Sequence, residues 1–300
     1  MTQQTAQPGA WTGRQNKRSG DTWIKVREVL GRAVAYLLLT VGGLVLLVPF
    51  LWTFSTSLKA SGAALSWPPQ FIPRPVVFRN YVDLFVLAPF GHWLLNSMLV
   101  TALSVLGAIL SATMVGFAFS RLRFPGRDAM FMLCVSTMML PFIVTMIPSF
   151  ILFRILGWID TFGPLVVGSW LGPAFYIFLS RQFMRGLPMD YDEAARMDGA
   201  TSWRIWASVI LPNSGAVIAT IGILSFRASW NNFMGPLIYL NTTEKFTLAV
   251  GLRTFRSYTS TNWALLMAGS VVMIMPVLIL FFSLQRYFLR GMQFSGVTGR

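Results

Sequence analysis

The chain has 300 residues, of which 55% are apolar and only 11% are charged. An ordinary globular domain has about 25% charged residues, so this composition disfavours a water-soluble fold. The 24 Lys and Arg against 10 Asp and Glu give a net charge of +14, but the basic residues lie between long apolar stretches. That distribution is typical of a membrane protein and disfavours a nucleic-acid partner. A single cysteine, Cys134, and a single histidine, His92, disfavour a disulfide framework and most metal sites.

Six apolar stretches are candidates for membrane-spanning helices, since crossing the hydrocarbon core takes about 20 residues. We therefore predict an all-α integral membrane protein with six transmembrane helices. The fourth stretch is the shortest, polar residues interrupt the fifth, and Pro141 and Pro148 are expected to kink the third. The stretches are residues 33–53, 94–119, 129–153, 164–179, 215–240 and 263–288.

The distribution of basic residues predicts the orientation in the membrane. Sixteen of the 24 lie in the first 32 residues, in 121–127, in 181–214 and after 285, against seven in the alternate loops. An excess of Lys and Arg marks the cytoplasmic side, so both termini are expected there. Residues 1–32 are polar and are not a cleaved signal peptide. We expect them to form a cytoplasmic arm, disordered over 2–20, followed by a transmembrane domain (33–290) and a cytoplasmic tail (291–300).

The two long loops differ in character. The external segment 55–93 begins with several prolines, which favour an extended chain, and then has the pattern of a short helix over 80–87. The internal segment 181–214 is the most polar part of the chain and has the pattern of two helices. The search for function therefore concentrates on the internal segment.

The acidic residues exclude several functions. None of the ten falls inside a predicted span, which disfavours a proton- or sodium-coupled carrier and an intramembrane protease. No glycine-rich phosphate loop with a Lys-Ser/Thr pair is found in the sequence, so no cofactor is expected to bind to this chain. Four of the ten acids lie between Asp190 and Asp198, where a partner is expected to supply energy.

The first helix of the internal loop is predicted to begin with Asp190 as its cap and Glu193 as the third residue of a capping box. Ala194 and Ala195 favour a helix and permit close approach by another backbone. Gly199 is expected to end this helix, because glycine adopts the left-handed conformation at low cost.

A second helix is predicted to start at Thr201 or Ser202 and to be limited by Pro212. Its apolar face is expected to comprise Trp203, Trp206 and Ile210. This pattern is also typical of an amphipathic interfacial loop with a glycine turn.

Three motifs in this loop resemble the EAA loop of ABC importer permeases. More specifically, the chain resembles the second permease subunit of the carbohydrate importers, the relatives of the maltose permeases. Other segments that match this family occur at 56–59, 80–81, 96–97, 119–127, 230–237 and 285–291. The loop motifs are Glu193-Ala194-Ala195, Asp198-Gly199-Ala200 and Ile210-Leu211-Pro212.

The resemblance implies the type I importer permease fold and a coupling role for this loop. In such importers the EAA helix docks in a cleft of an ATP-binding subunit. Glu193 would make the polar contact, Ala194 and Ala195 would let the helix seat, and Gly199 would set the angle between the two helices. Asp198, Leu211 and Pro212 belong to the same loop.

The resemblance also implies the partners of the chain. They are a second homologous permease subunit, two ATP-binding subunits that hold ATP and Mg²⁺, and an extracytoplasmic solute-binding protein, all at a prokaryotic plasma membrane. Two segments depart from the family pattern, the tail 291–297 and the residues 213–215, where a further proline is common.

Polar residues within the fifth stretch are candidates for the solute path, because lipid does not satisfy them. Arg227 departs from the family pattern, and near the bilayer centre an arginine costs at least about 2.5–3.5 kcal/mol. It either bonds backbone carbonyls or a partner near a helix end, or it lines the path and favours an anionic or hydroxyl-rich solute. The candidates are Arg227, Trp230, Asn231 and Asn232.

The sequence thus predicts a permease subunit of an ATP-driven, binding-protein-dependent importer of sugars or oligosaccharides. Glycerol phosphate or another anionic polyol is the alternative solute. A non-transporting membrane scaffold that recruits a cytoplasmic partner is the alternative from another class, and an enzyme is a more distant one.

Overall fold

The computed structural model describes residues 18–64, 66–256 and 261–295, and within these the side chains of 27–64, 66–256 and 261–283. Within this described part the chain is mostly helical and forms no β-strand; an isolated bridge joins Arg256 and Thr261. The chain divides into two units, residues 1–52 and 53–300. Helix α1, Arg18–Ser57, begins in the first unit. The last three residues of the segment expected to be disordered, 2–20, are therefore helical, and 2–17 lie outside the described residues.

The remaining helices vary widely in length. Two of them, α3 and α14, have more than 30 residues. The helix bounds are α2 Arg79–Leu87, α3 Phe90–Arg121, α4 Arg127–Ser136, α5 Phe142–Ile155, α6 Gly163–Trp170, α7 Ala174–Arg185, α8 Asp190–Met197, α9 Ser202–Ile205, α10 Leu211–Asn213, α11 Gly215–Trp230, α12 Met234–Tyr239, α13 Leu248–Arg253 and α14 Trp263–Ser295. Short 3₁₀ turns lie at Thr137–Met139 and Thr243–Lys245, and a π-helical turn lies at Trp206–Ile210.

Among the described residues, four helical segments are long and apolar enough to span a membrane, or up to six if each of two bent pairs counts as one span. The stretches 33–53, 94–119 and 263–288 each lie within one long helix. The stretch 164–179 is divided between α6 and α7. Helix α14 continues to Ser295, so the first half of the tail predicted at 291–300 is helical.

The third predicted stretch is broken rather than kinked. Helix α4 and its 3₁₀ turn meet α5 at an angle of 100°, and Leu140 and Pro141 at the junction have extended backbones. A proline disfavours helical geometry in the residue before it, which explains the break at Leu140. Pro148, by contrast, stays inside α5.

The fifth predicted stretch is also divided. Helix α11 ends at Trp230, and a new short helix, α12, begins at Met234. The side-chain oxygen of Asn232 accepts a hydrogen bond from the backbone N–H of Gly235 at 3.1 Å, which satisfies a donor at the start of α12. Helix α11 instead forms a bent pair with the preceding segment Ser202–Asn213, at 82°.

Helix α3 is the centre of the second unit and packs against α6, α7 and α11. Small residues allow this close packing. A side chain at Gly107 would collide with the ring of Trp170 on α6, and one at Gly116 would collide with Ser180 on α7. The hydroxyl of Ser111 donates to the carbonyls of Gly107 and Ser169, at 2.7 and 2.9 Å. Gly107 and Ser111 therefore lie where α3 packs closely against α6.

Helix α2 confirms the helix predicted over 80–87 and is fixed to the segment that follows α1. The buried amide of Asn80 donates to the carbonyls of Ser57 and Lys59, both at 2.8 Å. The hydroxyls of Ser57 and Tyr81 lie 2.8 Å apart. The segments 56–59 and 80–81, which both match the family pattern, therefore contact each other.

The first turns of α3 bind the segment 243–248 by hydrogen bonds. Trp93 donates its indole N–H to the carbonyl of Thr243 at 2.8 Å. The Asn96 amide donates to the carbonyls of Glu244 and Phe246 at 2.8 and 3.1 Å. The hydroxyl of Ser97 accepts from the N–H of Leu248 at 2.7 Å.

Asp160, in the loop between α5 and α6, holds the start of the same segment. Its carboxylate accepts from the backbone N–H groups of Asn241 and Thr242, from the Thr242 hydroxyl, and from the Lys245 ammonium at 2.8 Å. These bonds stabilise the ionised form, so the pKa of Asp160 lies well below its ordinary value, with the Lys245 bond as the largest cause.

Candidate functional site

The internal loop forms two short helices, α8 and α9, joined by a tight turn. The cap of α8 is Met189, and no side chain caps it, so the prediction of Asp190 as the cap in a capping box is wrong. Met189 already has helical dihedral angles, which draws Asp190 into the first turn. There its carboxylate, like that of Glu193, lies near the positive end of the helix dipole.

The turn at Gly199 confirms the predicted helix stop. Gly199 has φ = +75°, and its N–H donates to the carbonyl of Arg196 at 3.0 Å while that of Ala200 donates to Ala195 at 2.9 Å. This pair of bonds is a Schellman motif, which favours glycine at its left-handed position. No atom lies within 4 Å of the place where a side chain would begin, so backbone strain alone selects glycine here.

The second helix starts as predicted. The Thr201 hydroxyl accepts from the N–H of Arg204 at 3.4 Å and caps α9. After α9 the chain widens into the π-helical turn Trp206–Ile210, in which the N–H of Leu211 donates to the carbonyl of Trp206. The helical path continues through Pro212 to Asn213. Pro212 therefore lies just before the end of this path and does not stop it.

The buried face of the second helix differs from the predicted one. Trp206 and Ile210 are buried, but Trp203 is 62% exposed and Ile205 is buried instead. With Phe117 of α3 and Met184 of α7, these buried side chains form one apolar cluster, against which Ala195, Ala200 and Leu211 pack. Helices α8 and α9 thereby pack against the ends of α3 and α7.

Most of the predicted coupling residues of helix α8 are exposed to solvent. Glu193, Ala194 and Asp198 are exposed, and Ala195 is half-buried at the apolar cluster. Pro212 is also exposed, whereas Leu211 is half-buried. Of the eight residues of α8, Asp192 is the buried one. The exposed surface of α8 therefore carries several charged side chains and includes the small residue Ala194.

A buried ion pair joins α8 to the end of α3. A guanidinium nitrogen of Arg121 lies 3.4 Å from a carboxylate oxygen of Asp192, and both side chains are 2% exposed. Arg121 also donates to the carbonyl of Leu187 at 2.8 Å and contacts the sulfur of Met189. Hydrogen bonding in the pair is incomplete, since neither Asp192 oxygen nor the Arg121 Nε has a hydrogen-bond partner.

This pair is the element of the loop that sequence reasoning missed. Arg121 belongs to a matching family segment and Asp192 to the acidic cluster, but they lie about 70 positions apart in the chain. No periodicity connects them. Each charge complements its own helix end, Arg121 at the carboxyl end of α3 and Asp192 in the first turn of α8.

The candidate path residues do not share one environment. Arg227 and Asn231 line a cavity of about 410 Å³ with Phe175, Tyr176 and Leu224. Trp230 lies elsewhere, buried in an apolar cluster, and its indole N–H donates to the carbonyl of Met273 at 3.0 Å. Asn232 bonds the backbone of Gly235, as described above, and is not among the residues of this cavity.

The cavity combines aromatic rings, an amide and one cation. The side-chain N–H of Asn231 donates to the carbonyl of Arg227 at 3.0 Å, which leaves its amide oxygen available. Within the described part of the chain, no carboxylate lies within ion-pair distance of Arg227. The same part of the chain contains no group of three His, Cys, Asp or Glu side chains that could hold a metal ion.

Known proteins are similar to this chain in sequence and in fold. The family model of the binding-protein-dependent transport system inner membrane component matches residues 108–294. The arabinooligosaccharides transport system permease protein AraQ of Halalkalibacterium halodurans is 35% identical over 246 residues, or 82% of this chain and 86% of that protein. The galactooligosaccharides transport system permease protein GanQ of Bacillus subtilis is 31% identical over 288 residues, or 92% and 99%.

The fold is similar to that of a solved bacterial ABC transporter involved in the import of the acidic polysaccharide alginate. The TM-score is 0.77 at 25% identity, over 87% of this chain and 98% of that chain. The fold is thus that of an ABC importer permease, as the resemblance implied. The family comprises transport permeases and not catalytic subunits. This chain belongs to the family of inner-membrane components of binding-protein-dependent transport systems, and it is a multi-pass membrane protein.

Proposed function

We propose that this chain is one of two homologous permease subunits of an ATP-driven bacterial importer of oligosaccharides. The observation that carries the proposal is the exposed helix α8, which ends in the Schellman turn at Gly199 and is seated on α3 and α7. The relatives named for arabinooligosaccharide and galactooligosaccharide transport support the class of solute.

In this proposal α8 docks in a cleft of an ATP-binding subunit on the cytoplasmic side, where both termini also lie. Glu193 makes the polar contact, and the small side chains of Ala194 and Ala195 allow the two surfaces to approach. ATP and Mg²⁺ bind to the partner subunits. When these close on ATP, they draw the α8 helices of both permeases together, and the inward-facing cavity opens outward to a solute-binding protein.

The test is ATPase activity of the complete complex in liposomes, with the solute-binding protein loaded with arabinooligosaccharides or galactooligosaccharides. We expect loaded binding protein to stimulate ATP hydrolysis, and Glu193→Ala to lose that stimulation. The matched control is Asp190→Asn, which alters an exposed acid of the same helix. A scaffold that recruits a cytoplasmic partner without transport would show no stimulation in any variant.

The turn at Gly199 provides a second test of coupling. Gly199→Val forces a β-branched residue into a left-handed conformation, whereas Gly199→Asn is tolerated there. No neighbouring atom lies within 4 Å of the place where Cβ would stand, so the two variants differ mainly in the strain of their own backbone. We expect the valine variant to hydrolyse ATP with little uptake and the asparagine variant to remain coupled. Normal uptake by the valine variant would remove the coupling role of this turn.

A second candidate solute is an acidic saccharide, favoured by the position of Arg227. A guanidinium without a carboxylate partner in the described chain lies beside two aromatic rings and an amide, and this set suits a sugar ring that bears a carboxylate. The similar transporter of the acidic polysaccharide alginate supports the same class.

Uptake of digalacturonate and of neutral galactobiose by cells with the complete transporter distinguishes the two candidates. We expect Arg227→Ala to lower uptake of the acidic disaccharide at least tenfold, and Arg227→Lys to retain part of it. Neutral disaccharide uptake is expected to change little. An unchanged profile and rate in both variants would contradict a role for Arg227 in solute selection.

A further inference from the structure

The coupling helix is attached to the rest of the subunit chiefly through a charge. Asp192 is the buried residue of α8, while Tyr191 and Met197, its large apolar side chains in the described structure, are 46% and 89% exposed. A helix held by packing buries an apolar stripe, and α8 does not. Ala195 of α8 also packs against the apolar cluster that contains Phe117 of α3 and Met184 of α7.

Arg121 makes three contacts near the start of α8. Besides Asp192 it contacts the carbonyl of Leu187 and the sulfur of Met189. These groups lie on the turn that leads into α8, so the guanidinium fixes both the turn and the first helical residues. Arg121 is itself the last residue of α3, the helix against which α6, α7 and α11 pack.

We infer that the Arg121–Asp192 pair is the link through which movement of α8 reaches the membrane-spanning helices. The inference rests on the proposed function, since it assigns α8 the contact with the ATP-binding subunit. Arg121 and Asp192 are positioning residues, because both side chains are buried and act by holding α8. They make the end of α3 and the start of α8 move as one body.

The incomplete hydrogen bonding of the pair argues against a purely structural role. Both Asp192 oxygens and the Arg121 Nε are buried without hydrogen-bond partners, so the contact is held by charge at 3.4 Å. Buried pairs with poor geometry do not favour stability over an apolar replacement. The pair does, however, hold the end of α3 and the start of α8 together, which suits a contact that transmits movement from one to the other.

The experiment measures the distance between α3 and α8 in the complete complex with its ATP-binding subunits. Spin labels are placed at the exposed Met114 and Met197 through Met114→Cys and Met197→Cys, with Cys134→Ala to remove the native thiol. We expect the parent protein to give one narrow distance distribution, unchanged between the nucleotide-free and ATP-bound states. In Asp192→Asn we expect a broadened distribution that shifts on ATP binding by about 5 Å, roughly one helical turn.

Matched controls and a double variant separate linkage from folding. Asp190→Asn and Arg123→Met alter exposed charges two positions from each partner and are expected to behave like the parent. Arg121→Met with Asp192→Asn removes both buried charges, so it is expected to recover the yield of the complex. If the pair transmits movement, the distance distribution of the double variant stays broad. If the pair only stabilises the fold, the distance distribution of the double variant becomes narrow again, which overturns the inference.

Failure of this inference and failure of the proposed function give different results. If the ATP-binding subunits do not co-purify with the parent protein, the proposed function is wrong. If they co-purify with every variant and Asp192→Asn gives the same narrow distribution as Asp190→Asn, the link is wrong and the proposed function stands.

Discussion

The two ends of α3 hold their neighbouring segments in different ways. At the start, Trp93, Asn96 and Ser97 make direct hydrogen bonds of 2.7–3.1 Å to the backbone of 243–248. At the end, Arg121 holds the start of α8 by a buried charge contact at 3.4 Å with polar atoms left unbonded. One end is held by neutral side chains bonded to main-chain groups. The other is held by an arginine that combines an ion pair with Asp192 and a hydrogen bond to the Leu187 carbonyl.

If α8 receives movement from an ATP-binding subunit, as proposed, the end of α3 at Arg121 is the moving end and the end at Trp93 is the fixed end. Backbone hydrogen bonds are directional and weaken steeply when their angle changes, so the segment 243–248 is held in one position. A charge contact depends mainly on distance and accepts a range of angles. A subunit that receives movement at one end while presenting a stable surface at the other needs this asymmetry.

The largest expected effect follows from removing one charge at the moving end. Arg121→Met leaves the Asp192 carboxylate buried and unpaired, which costs about 3–5 kcal/mol. Thermal unfolding of the purified subunit is expected to show a large loss of stability, whereas Arg123→Met at an exposed position should change little. Equal stability of the two variants would contradict the burial of the pair.

A smaller effect is expected at the fixed end. Asn96→Ala removes two donor bonds, to Glu244 and Phe246, at a cost of about 2 kcal/mol in total. Amide hydrogen exchange in 243–248 is expected to accelerate, while exchange in α8 stays unchanged. Leu95→Ala, at a neighbouring exposed position, is the control; faster exchange in α8 would show that the two ends are not independent.

We expect Asp160 to make stability depend on pH, and this dependence to be confined to the fixed end of α3. Its pKa in the folded protein is depressed below the ordinary value of 3.8, so its contribution is fully present above that value. The contribution is lost as the pH falls below it and the carboxylate becomes protonated. The stability difference between the parent and Asp160→Asn is therefore expected to shrink between pH 6 and the most acidic pH the protein tolerates.

Thermal unfolding at stepped pH values measures this dependence. The effect is expected to be modest, because the Asp160–Lys245 pair is partly exposed and solvent weakens it. A stability difference that grows on acidification would contradict the depressed pKa.

The smallest expected effect concerns the cap of α9 at the moving end. Thr201→Ala removes the bond to the N–H of Arg204 and is expected to cost about 0.5–1 kcal/mol. Thr201→Ser keeps a hydroxyl and is the control. Because the cap lies outside the Arg121–Asp192 contact, ATP-driven uptake by Thr201→Ala is expected to remain near that of the parent.

Local patterns in the sequence predicted those parts of the structure that depend on neighbouring residues. The helix stop at Gly199 and the start at Thr201 follow from backbone preferences and short-range bonds, and both are confirmed. The cap at Asp190 was predicted from the same kind of pattern and is wrong, because Met189 already joins the helix. Its position is set by the turn that Arg121 holds, which is a tertiary contact.

Long-range features were not predictable for a physical reason. Hydropathy reports how much apolar surface a stretch carries and not where its axis bends, so the 100° break at Leu140 and Pro141 was expected only as a kink. The Arg121–Asp192 pair and the separation of Trp230 from the Arg227 cavity depend on how distant helices pack. Both features require three-dimensional coordinates.

The π-helical turn Trp206–Ile210 has a consequence for insertions and deletions in the loop. A five-residue turn contains one residue more than an α-helical path between the same points, and each residue of a helix rotates the chain by about 100°. Removing Ser208 would restore a regular helix and rotate the preceding α8–Gly199–α9 unit relative to α11 by a similar angle. The exposed face of α8 would then point away from its present direction, so the length of this turn sets the direction of that face.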